Sequence, residues 1–176
     1  MGAKAVLNRN DFKCWGQLPK VNGPEFADYM KESRKFGKAI WEITGGKDVD
    51  IVFEHPGEAT FPVSVLVCKR GGMVVICAGT TGYNLTMDAR FLWMRQKRVQ
   101  GSHFAHLYHA SQANQLVIDR RIDPAMSEVF PWEKIPDAHE KMLDNKHAPG
   151  NMAVLVNAQR SGLRTWEDVV ELGAPR

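Results

Sequence analysis

The sequence predicts an α/β protein built on a parallel β-sheet. Three short, continuous apolar runs each lead directly into a turn that contains glycine, and helix-like segments separate the runs. The runs and their turns span residues 50–57, 71–82 and 99–104. Continuous apolar runs of this length are typical of strands covered on both faces, as in a parallel sheet. Ligands of such sheets bind just beyond the carboxyl ends of the strands, so the three turns outline a crevice of the nucleotide-binding type.

The strands and helices of the amino-terminal part alternate, which predicts repeated crossovers and hence a parallel arrangement. The first two elements are a short strand at residues 3–7 and a helix at residues 24–43, which ends at the Gly45-Gly46 pair. After these we predict a strand at 49–53, a helix at 61–68, a turn at Gly71-Gly72 that begins the next strand, a helix at 91–96, a strand at 98–101 and a helix at 108–118.

The character of the chain changes near Asp123-Pro124, which divides it into residues 1–122 and 123–176. In the second part we predict an extended piece at 127–130, a helix at 132–145, a strand at 152–156 after the Pro149-Gly150 turn, and a polar tail with one helix at 164–172.

The composition is that of a globular protein able to bury a core. The chain has 176 residues, of which 44% are apolar and 24% are charged, enough for one domain or for one domain with part of another. The net charge of +3 comes from scattered lysines and arginines, which argues against nucleic-acid binding. The three scattered cysteines indicate reduced thiols, and we find no signal peptide or long apolar segment. We therefore expect a cytoplasmic protein that does not associate with membranes.

Four short motifs resemble one enzyme family. They are the sequences IVFEHPG at residues 51–57, CAGTTGY at 77–83, RFLWM at 90–94 and GSHFA at 101–105, and residues 129–156 add a closing helix and strand. The chain resembles the zinc-independent branch of the medium-chain dehydrogenase/reductase superfamily, in particular the crotonyl-CoA carboxylase/reductases. No glycine-rich G-x-G-x-x-G loop precedes the sheet, so the chain resembles only the carboxyl-terminal part of such an enzyme.

The resemblance implies a fold, an activity and partners. Residues 1–122 correspond to the carboxyl-terminal part of an NADP-binding Rossmann domain, and residues 123–176 to the return segment of the substrate domain, which is GroES-like, and a tail. Family members use NADPH to reduce crotonyl-CoA at its β-carbon, and the α-carbon captures carbon dioxide to give ethylmalonyl-CoA. The implied partners are an acyl-CoA, carbon dioxide, and either further copies of the chain or the missing amino-terminal portion, because loss of that portion leaves an open sheet edge. We expect the chain to be inactive alone.

Two alternatives remain open at this stage. One is an enoyl-CoA or quinone reductase that does not carboxylate its substrate. The other is a truncated, non-catalytic subunit.

His103 is the candidate catalytic residue. It follows a small residue at a strand exit, where its side chain can point into the crevice. The resemblance implies that its imidazole holds a water molecule near the carbon dioxide, and a neutral imidazole can both donate and accept a hydrogen bond. The alternative is a histidine that only bonds backbone at the end of a strand.

Twelve further residues are candidates for binding the cofactor, and each could instead belong to an ordinary turn or loop. The resemblance places the turn after the first apolar run, which contains His55, Pro56 and Gly57, near the ribose on the nicotinamide side. Small residues at the second exit allow a carboxamide to meet the backbone, and Gly57 permits close approach of a ligand. An arginine near the first predicted strand could stack on adenine or bind a ribose phosphate. The candidates are Asn8, Arg9, Glu54, His55, Pro56, Gly57, Ala78, Gly79, Thr80, Thr81, Ser102 and Phe104.

A metal site is not expected. His103, His106 and His109 recur every third residue, but they cross a junction between a strand and a helix, and no cysteine or carboxylate accompanies them. We interpret Cys77 as a small core residue rather than a nucleophile.

Overall fold

A computed structural model describes residues 3–156, which belong to two compact units. One unit spans residues 4–104, and the other contains the described residues from 105 onward. The predicted domain boundary after residue 122 concerns the domains of a whole enzyme and stays a prediction.

The first unit is a three-stranded parallel sheet with helices between its strands. The strands lie side by side in the order β1-β2-β3, and both pairs are parallel. Glu54, Ile76 and Gly101 occupy matching positions near the ends of the three strands, so the carboxyl ends meet at one edge. The α/β fold with a parallel sheet is thereby confirmed. Its elements are α1 (Phe26–Thr44), β1 (Val49–Glu54), α2 (Phe61–Val67), β2 (Cys68–Ile76), α3 (Ala89–Trp93) and β3 (Arg98–Gly101).

Local sequence explains where these helices begin and end. Helix α1 ends at Gly45, which adopts the left-handed conformation with φ +71°, and the N–H of Gly46 donates to the Trp41 carbonyl over 2.8 Å. Helix α2 has Pro62 in its first turn, where no N–H is needed. Helix α2 is buried because it packs on the sheet, with Phe61 and Val65 in one cluster with Val74 of β2.

The predicted strand at residues 3–7 is wrong. Residues 3–6 are exposed, Val6 by 86%, and the segment joins neither sheet. A β-strand exists only when a neighbouring strand satisfies its backbone groups, and the described residues supply no such neighbour for this segment. It leads instead into a short 3-10 turn at Arg9–Asp11.

The starts of β2 and α3 also differ from the predictions. Strand β2 begins at Cys68, before the Gly71-Gly72 pair. Its pairing with β1 jumps from Cys68 to Met73, so the predicted turn is an irregularity within the strand, where Gly71 takes φ +70°. Helix α3 begins two residues early because the Asp88 carboxylate accepts the N–H of Arg90 over 3.0 Å and caps the first turn.

The described part of the second unit, residues 105–156, contains two strands and two α-helices. Helix α4 (Leu107–Ile118) precedes β4 (Met126–Pro131), and helix α5 (Ile135–Leu143) precedes β5 (Asn151–Leu155). The two strands pair in parallel. The helix predicted at 132–145 begins as a 3-10 turn and is shorter than expected. The polar tail and its predicted helix at 164–172 lie outside the described residues. Within residues 3–156, no helix is both long enough and apolar enough to cross a membrane.

One core cluster of the first unit contains two buried ionisable side chains. Cys14 and Tyr29 belong to a cluster that joins α1 to α2, and their exposed fractions are 0% and 8%. Burial disfavours their anions, which raises the pKa of the Cys14 thiol to about 11 and the pKa of the Tyr29 phenol to about 12. Both groups are therefore neutral in the folded chain at physiological pH.

We expect the free energy of unfolding to fall as the pH rises above about 9. Both groups have ordinary pKa values lower than their folded values, 9.0 for the thiol and 10.0 for the phenol, so the unfolded chain ionises first. The contribution of the two neutral groups to stability is complete below pH 9. It is lost as the pH rises through their pKa values in the folded chain. Urea unfolding at about pH 8 and about pH 10.5 measures this effect. Tyr29→Phe should reduce the dependence, whereas Tyr83→Phe, at a residue 89% exposed, should not. Equal pH dependence in both variants would contradict the assignment.

Candidate functional site

The segments that directly follow β1, β2 and β3 are called the first, second and third exits. They form a continuous rim along one edge of the sheet. The N–H of Cys77 donates to the Glu54 carbonyl over 3.2 Å, and the N–H of Ser102 donates to the Ile76 carbonyl over 2.8 Å. These bonds extend the sheet ladder one residue past the ends of β2 and β3, so the exits begin at the same level. The exposed predicted residues along this rim are His55, Thr80, Thr81, Ser102, His103 and Phe104.

The carboxylate of Glu54 points inward, beneath the first exit. Glu54 is 2% exposed, and its Oε1 accepts the Gly57 N–H over 2.9 Å and the Thr60 hydroxyl over 2.6 Å. Its Oε2 accepts the Ser64 hydroxyl. A buried carboxylate is costly unless donors satisfy it, and three donors do so here. The side chain that was predicted to contact the cofactor thus holds the turn and the start of α2.

The loops after β1 and β2 are bonded to each other. The N–H and the hydroxyl of Thr81 both donate to the Pro56 carbonyl, each over 2.8 Å. The same hydroxyl accepts the Ala59 N–H over 3.0 Å, and the Glu58 N–H donates to the Gly82 carbonyl over 3.3 Å. The first and second exits therefore form one hydrogen-bonded wall of the rim.

Gly57 is required by loop packing, which differs from the predicted reason of close ligand approach. It has φ +90°, and a Cβ there would lie 2.8 Å from the Gly82 carbonyl oxygen and 2.9 Å from the Gly79 Cα. A Cβ on Gly79 would meet the Tyr83 ring at 2.8 Å. Gly57 thus allows two backbone segments of the wall to approach closely, and Gly79 leaves room for the Tyr83 ring.

His103 lies beyond the end of β3, beside an aromatic ring. The His103 and Phe104 ring centroids are 3.9 Å apart, with the planes tilted by 41°. Phe104 has φ +54° and is 90% exposed. An aromatic residue rarely adopts this left-handed conformation, which turns the chain sharply after the histidine. The exposed imidazole can donate and accept hydrogen bonds at the rim.

Asn8 and Arg9 lie at a short 3-10 turn rather than after a strand. The Asn8 side chain accepts the Asn10 N–H over 3.0 Å, and the Arg9 guanidinium carbon lies 5.5 Å from the centroid of the Trp15 ring. The following segment is tied to the first exit because the Gly16 N–H donates to the Ala59 carbonyl over 2.7 Å. Arg9 thus contacts Trp15, and the next residue, Gly16, is bonded to the loop after β1.

Thr60 and Ser64 were not among the predicted site residues. Their hydroxyls lie one helical turn apart at the start of α2, and both reach Glu54. A sequence signal existed, since a strand that ends in a carboxylate is followed by Thr and Ser at positions i and i+4 of the next helix start. The sequence alone does not indicate that the Glu54 carboxylate turns inward to meet these hydroxyls.

The opposite edge of the sheet has a cavity of about 530 Å³. Asp48, Cys68 and Lys97, which lie at the amino ends of the three strands, contribute to its lining. The Lys97 ammonium donates to the Val65 and Leu66 carbonyls over 2.6 and 3.0 Å, and burial lowers its pKa. The cavity is separated from the strand exits by the length of the sheet, so it is not part of the rim.

Within residues 3–156, no group of three or more histidines, cysteines, aspartates or glutamates could hold a metal ion. Cys77 is partly buried, and its Sγ lies 3.8 Å from the Glu54 carbonyl oxygen.

The class of protein follows from comparison with known families. Residues 1–119 match the family described as zinc-binding dehydrogenase. The match covers more than half of the chain, and the chain belongs to this family.

Within this family, the chain is similar to several crotonyl-CoA carboxylase/reductases. The chain is 71% identical over 174 residues to a crotonyl-CoA carboxylase/reductase from Cereibacter sphaeroides, covering 98% of this chain and 40% of the relative. A solved crotonyl-CoA carboxylase/reductase is 74% identical with a TM-score of 0.85, covering 97% of this chain and 40% of that chain. The crotonyl-CoA carboxylase/reductase AntE in complex with NADP is 46% identical with a TM-score of 0.82, covering 90% of this chain and 40% of that chain. The predicted resemblance is confirmed, and the chain spans about 40% of the length of these relatives.

Proposed function

We propose that this chain supplies the cofactor-side wall of an NADPH-dependent enzyme that reductively carboxylates crotonyl-CoA to ethylmalonyl-CoA. The main supporting observation is that three parallel strands end at one edge of the sheet. The sequence motifs that resemble the crotonyl-CoA carboxylase/reductases lie at those strand ends. The likeness to a crotonyl-CoA carboxylase/reductase supports the same reaction.

The rim fits a reduced nicotinamide cofactor. Exposed His55, Thr80 and Ser102 offer polar groups along its length, and the loops that carry His55 and Thr80 are bonded together. When bound, NADPH supplies a hydride to the β-carbon of the acyl-CoA. The backbone of Ala78 and Gly79, with Pro56 and Phe104, completes the proposed contact surface, and Asn8 and Arg9 serve the adenosine end. Glu54, Gly57 and Thr81 contribute by fixing the loops.

His103 is proposed to act on the carbon dioxide side of the reaction. Its exposed imidazole next to Phe104 can accept a hydrogen bond at one nitrogen and donate at the other, which suits it to hold a water molecule beside carbon dioxide. The α-carbon forms its new bond to carbon dioxide there, and the carboxylate of ethylmalonyl-CoA results.

The proposed partners include another polypeptide segment. Strand β1 lies at an edge of the three-stranded sheet, and its Ile51 and Phe53 are 64% and 68% exposed. An open edge with exposed apolar residues favours pairing with further chain, either an amino-terminal portion or another copy. We also propose that residues 1–122 and 123–176 belong to the cofactor and substrate domains, and that the protein is cytoplasmic.

A chimera tests the proposal. This chain replaces the matching segment of the Cereibacter sphaeroides relative, and the chimera is assayed with crotonyl-CoA and NADPH, with and without bicarbonate. We expect NADPH oxidation, with ethylmalonyl-CoA as the product when bicarbonate is present. The chain assayed alone should be inactive, and the relative itself is the positive control.

The alternatives predict different outcomes of this assay. A reductase that does not carboxylate would oxidise NADPH and give butyryl-CoA at every bicarbonate concentration. A non-catalytic subunit would give a folded chimera that neither binds nor oxidises NADPH. Either result would refute the proposed reaction.

A further inference from the structure

We infer that Glu54 is a positioning residue for the cofactor, with its buried carboxylate fixing the wall made by the first two exits. The inference rests on the proposed function of this rim. Glu54 itself has almost no exposed surface from which to contact a ligand, since only 2% of the residue is accessible. Any influence on the cofactor must therefore act through the backbone and side chains that Glu54 holds.

The hydrogen bonds of Glu54 lead to both exits. Its Oε1 holds the Gly57 N–H over 2.9 Å, which fixes the turn that carries His55 and Pro56. Its own backbone carbonyl accepts the Cys77 N–H over 3.2 Å, at the start of the second exit. The Pro56 carbonyl accepts two hydrogen bonds from Thr81 in that second loop. A shift of the carboxylate is thus transmitted to both parts of the wall.

The same carboxylate ties the turn to helix α2. Thr60 directly precedes α2 and Ser64 lies within it, and both hydroxyls donate to Glu54. The carboxylate and its partners form a set of buried and partly buried polar groups, in which loss of the acceptor leaves up to three donors without their partner. Such a set fixes one conformation of the turn, which a cofactor wall requires.

The chimera provides the test, with Glu54→Leu as the main variant. Leucine removes both acceptor oxygens, and we expect the KM for NADPH to rise about tenfold while the KM for crotonyl-CoA stays within about twofold. Glu54→Gln should keep the KM for NADPH within about threefold of the parent. The glutamine oxygen still accepts from Gly57 and Thr60, and its amide can donate to a rotated Ser64 hydroxyl.

Asp50→Asn is the matched control, since Asp50 is a carboxylate on the same strand whose side chain is 78% exposed and paired with Lys69. We expect all kinetic constants of this variant to match the parent.

If Glu54→Leu fails to fold, Thr60→Val tests the inference instead. It removes one donor to the Glu54 carboxylate and is expected to raise the KM for NADPH about threefold.

The outcomes separate the inference from the proposed function. A parent chimera that does not oxidise NADPH refutes the proposed function. An active parent whose folded Glu54→Leu or Thr60→Val variant keeps the parent KM for NADPH refutes the inference. Equal rises in the KM for both substrates also refute it, because a carboxylate that only supports the fold has no preference for the cofactor.

Discussion

Replacement of Gly57 by alanine is expected to lower the free energy of unfolding of the chain by about 3 kcal/mol. Two costs add at this position. A Cβ at φ +90° strains the backbone, and the same atom would lie 2.8 Å from the Gly82 carbonyl oxygen and 2.9 Å from the Gly79 Cα. Both neighbours are backbone, so neither can rotate away, and the two loops must separate. Urea unfolding followed by circular dichroism measures the loss.

Two other glycines separate the costs. Gly16 has φ +110° with nothing within 4 Å of its Cβ position, so Gly16→Ala should show only the backbone cost of about 1 kcal/mol. Gly101 ends β3 with no left-handed requirement and equally open space, so Gly101→Ala should change stability by less than about 0.5 kcal/mol. If Gly57→Ala were no more destabilising than Gly16→Ala, this result would contradict the claim that the two loops pack too closely at Gly57 to admit a Cβ. In the chimera, Gly57→Ala should also weaken NADPH binding.

Replacement of His103 by alanine in the chimera is expected to lower the rate of carboxylation about 100-fold. The imidazole is proposed to hold the water molecule beside carbon dioxide, and alanine offers neither a donor nor an acceptor. Hydride transfer does not require this group, so the KM for NADPH should stay within about twofold and butyryl-CoA should become a larger share of the product. Product analysis by chromatography at saturating bicarbonate gives both rates.

His106→Ala is the control for His103, because it removes the same exposed ring three residues later in the chain. We expect this variant to keep the parent ratio of ethylmalonyl-CoA to butyryl-CoA. An unchanged ratio in His103→Ala as well would contradict the proposed role of His103.

The parallel sheet was predictable because its signals are local. Continuous apolar runs followed by glycine-containing turns identified β1, β2 and β3, and their shared edge followed from the alternation with helices. The strand at residues 3–7 was wrong for a non-local reason, since an apolar pentapeptide becomes a strand only beside a partner. Strands were therefore predicted correctly where the described residues contain both members of a pair of neighbouring strands.

The internal organisation of the rim was not predictable from residue types. Glu54 and Thr81 are polar residues at strand exits, and this pattern predicted contact with a ligand. In the structure, their side chains satisfy buried or backbone groups of the two loops. The direction of a polar side chain depends on donors that are distant in sequence, such as Ser64, and these become visible only when the helix is packed on the sheet.

The central claim is that the carboxyl-end rim of this sheet contacts the reduced nicotinamide cofactor. Hydrogen exchange of the chimera with and without NADPH tests it most directly. We predict that NADPH protects peptides covering residues 54–60, 77–82 and 101–104, and leaves exchange unchanged at the amino ends of the strands, in residues 68–72 and 95–98. Protection confined to the amino-end peptides, with none at the three exits, would contradict the claim.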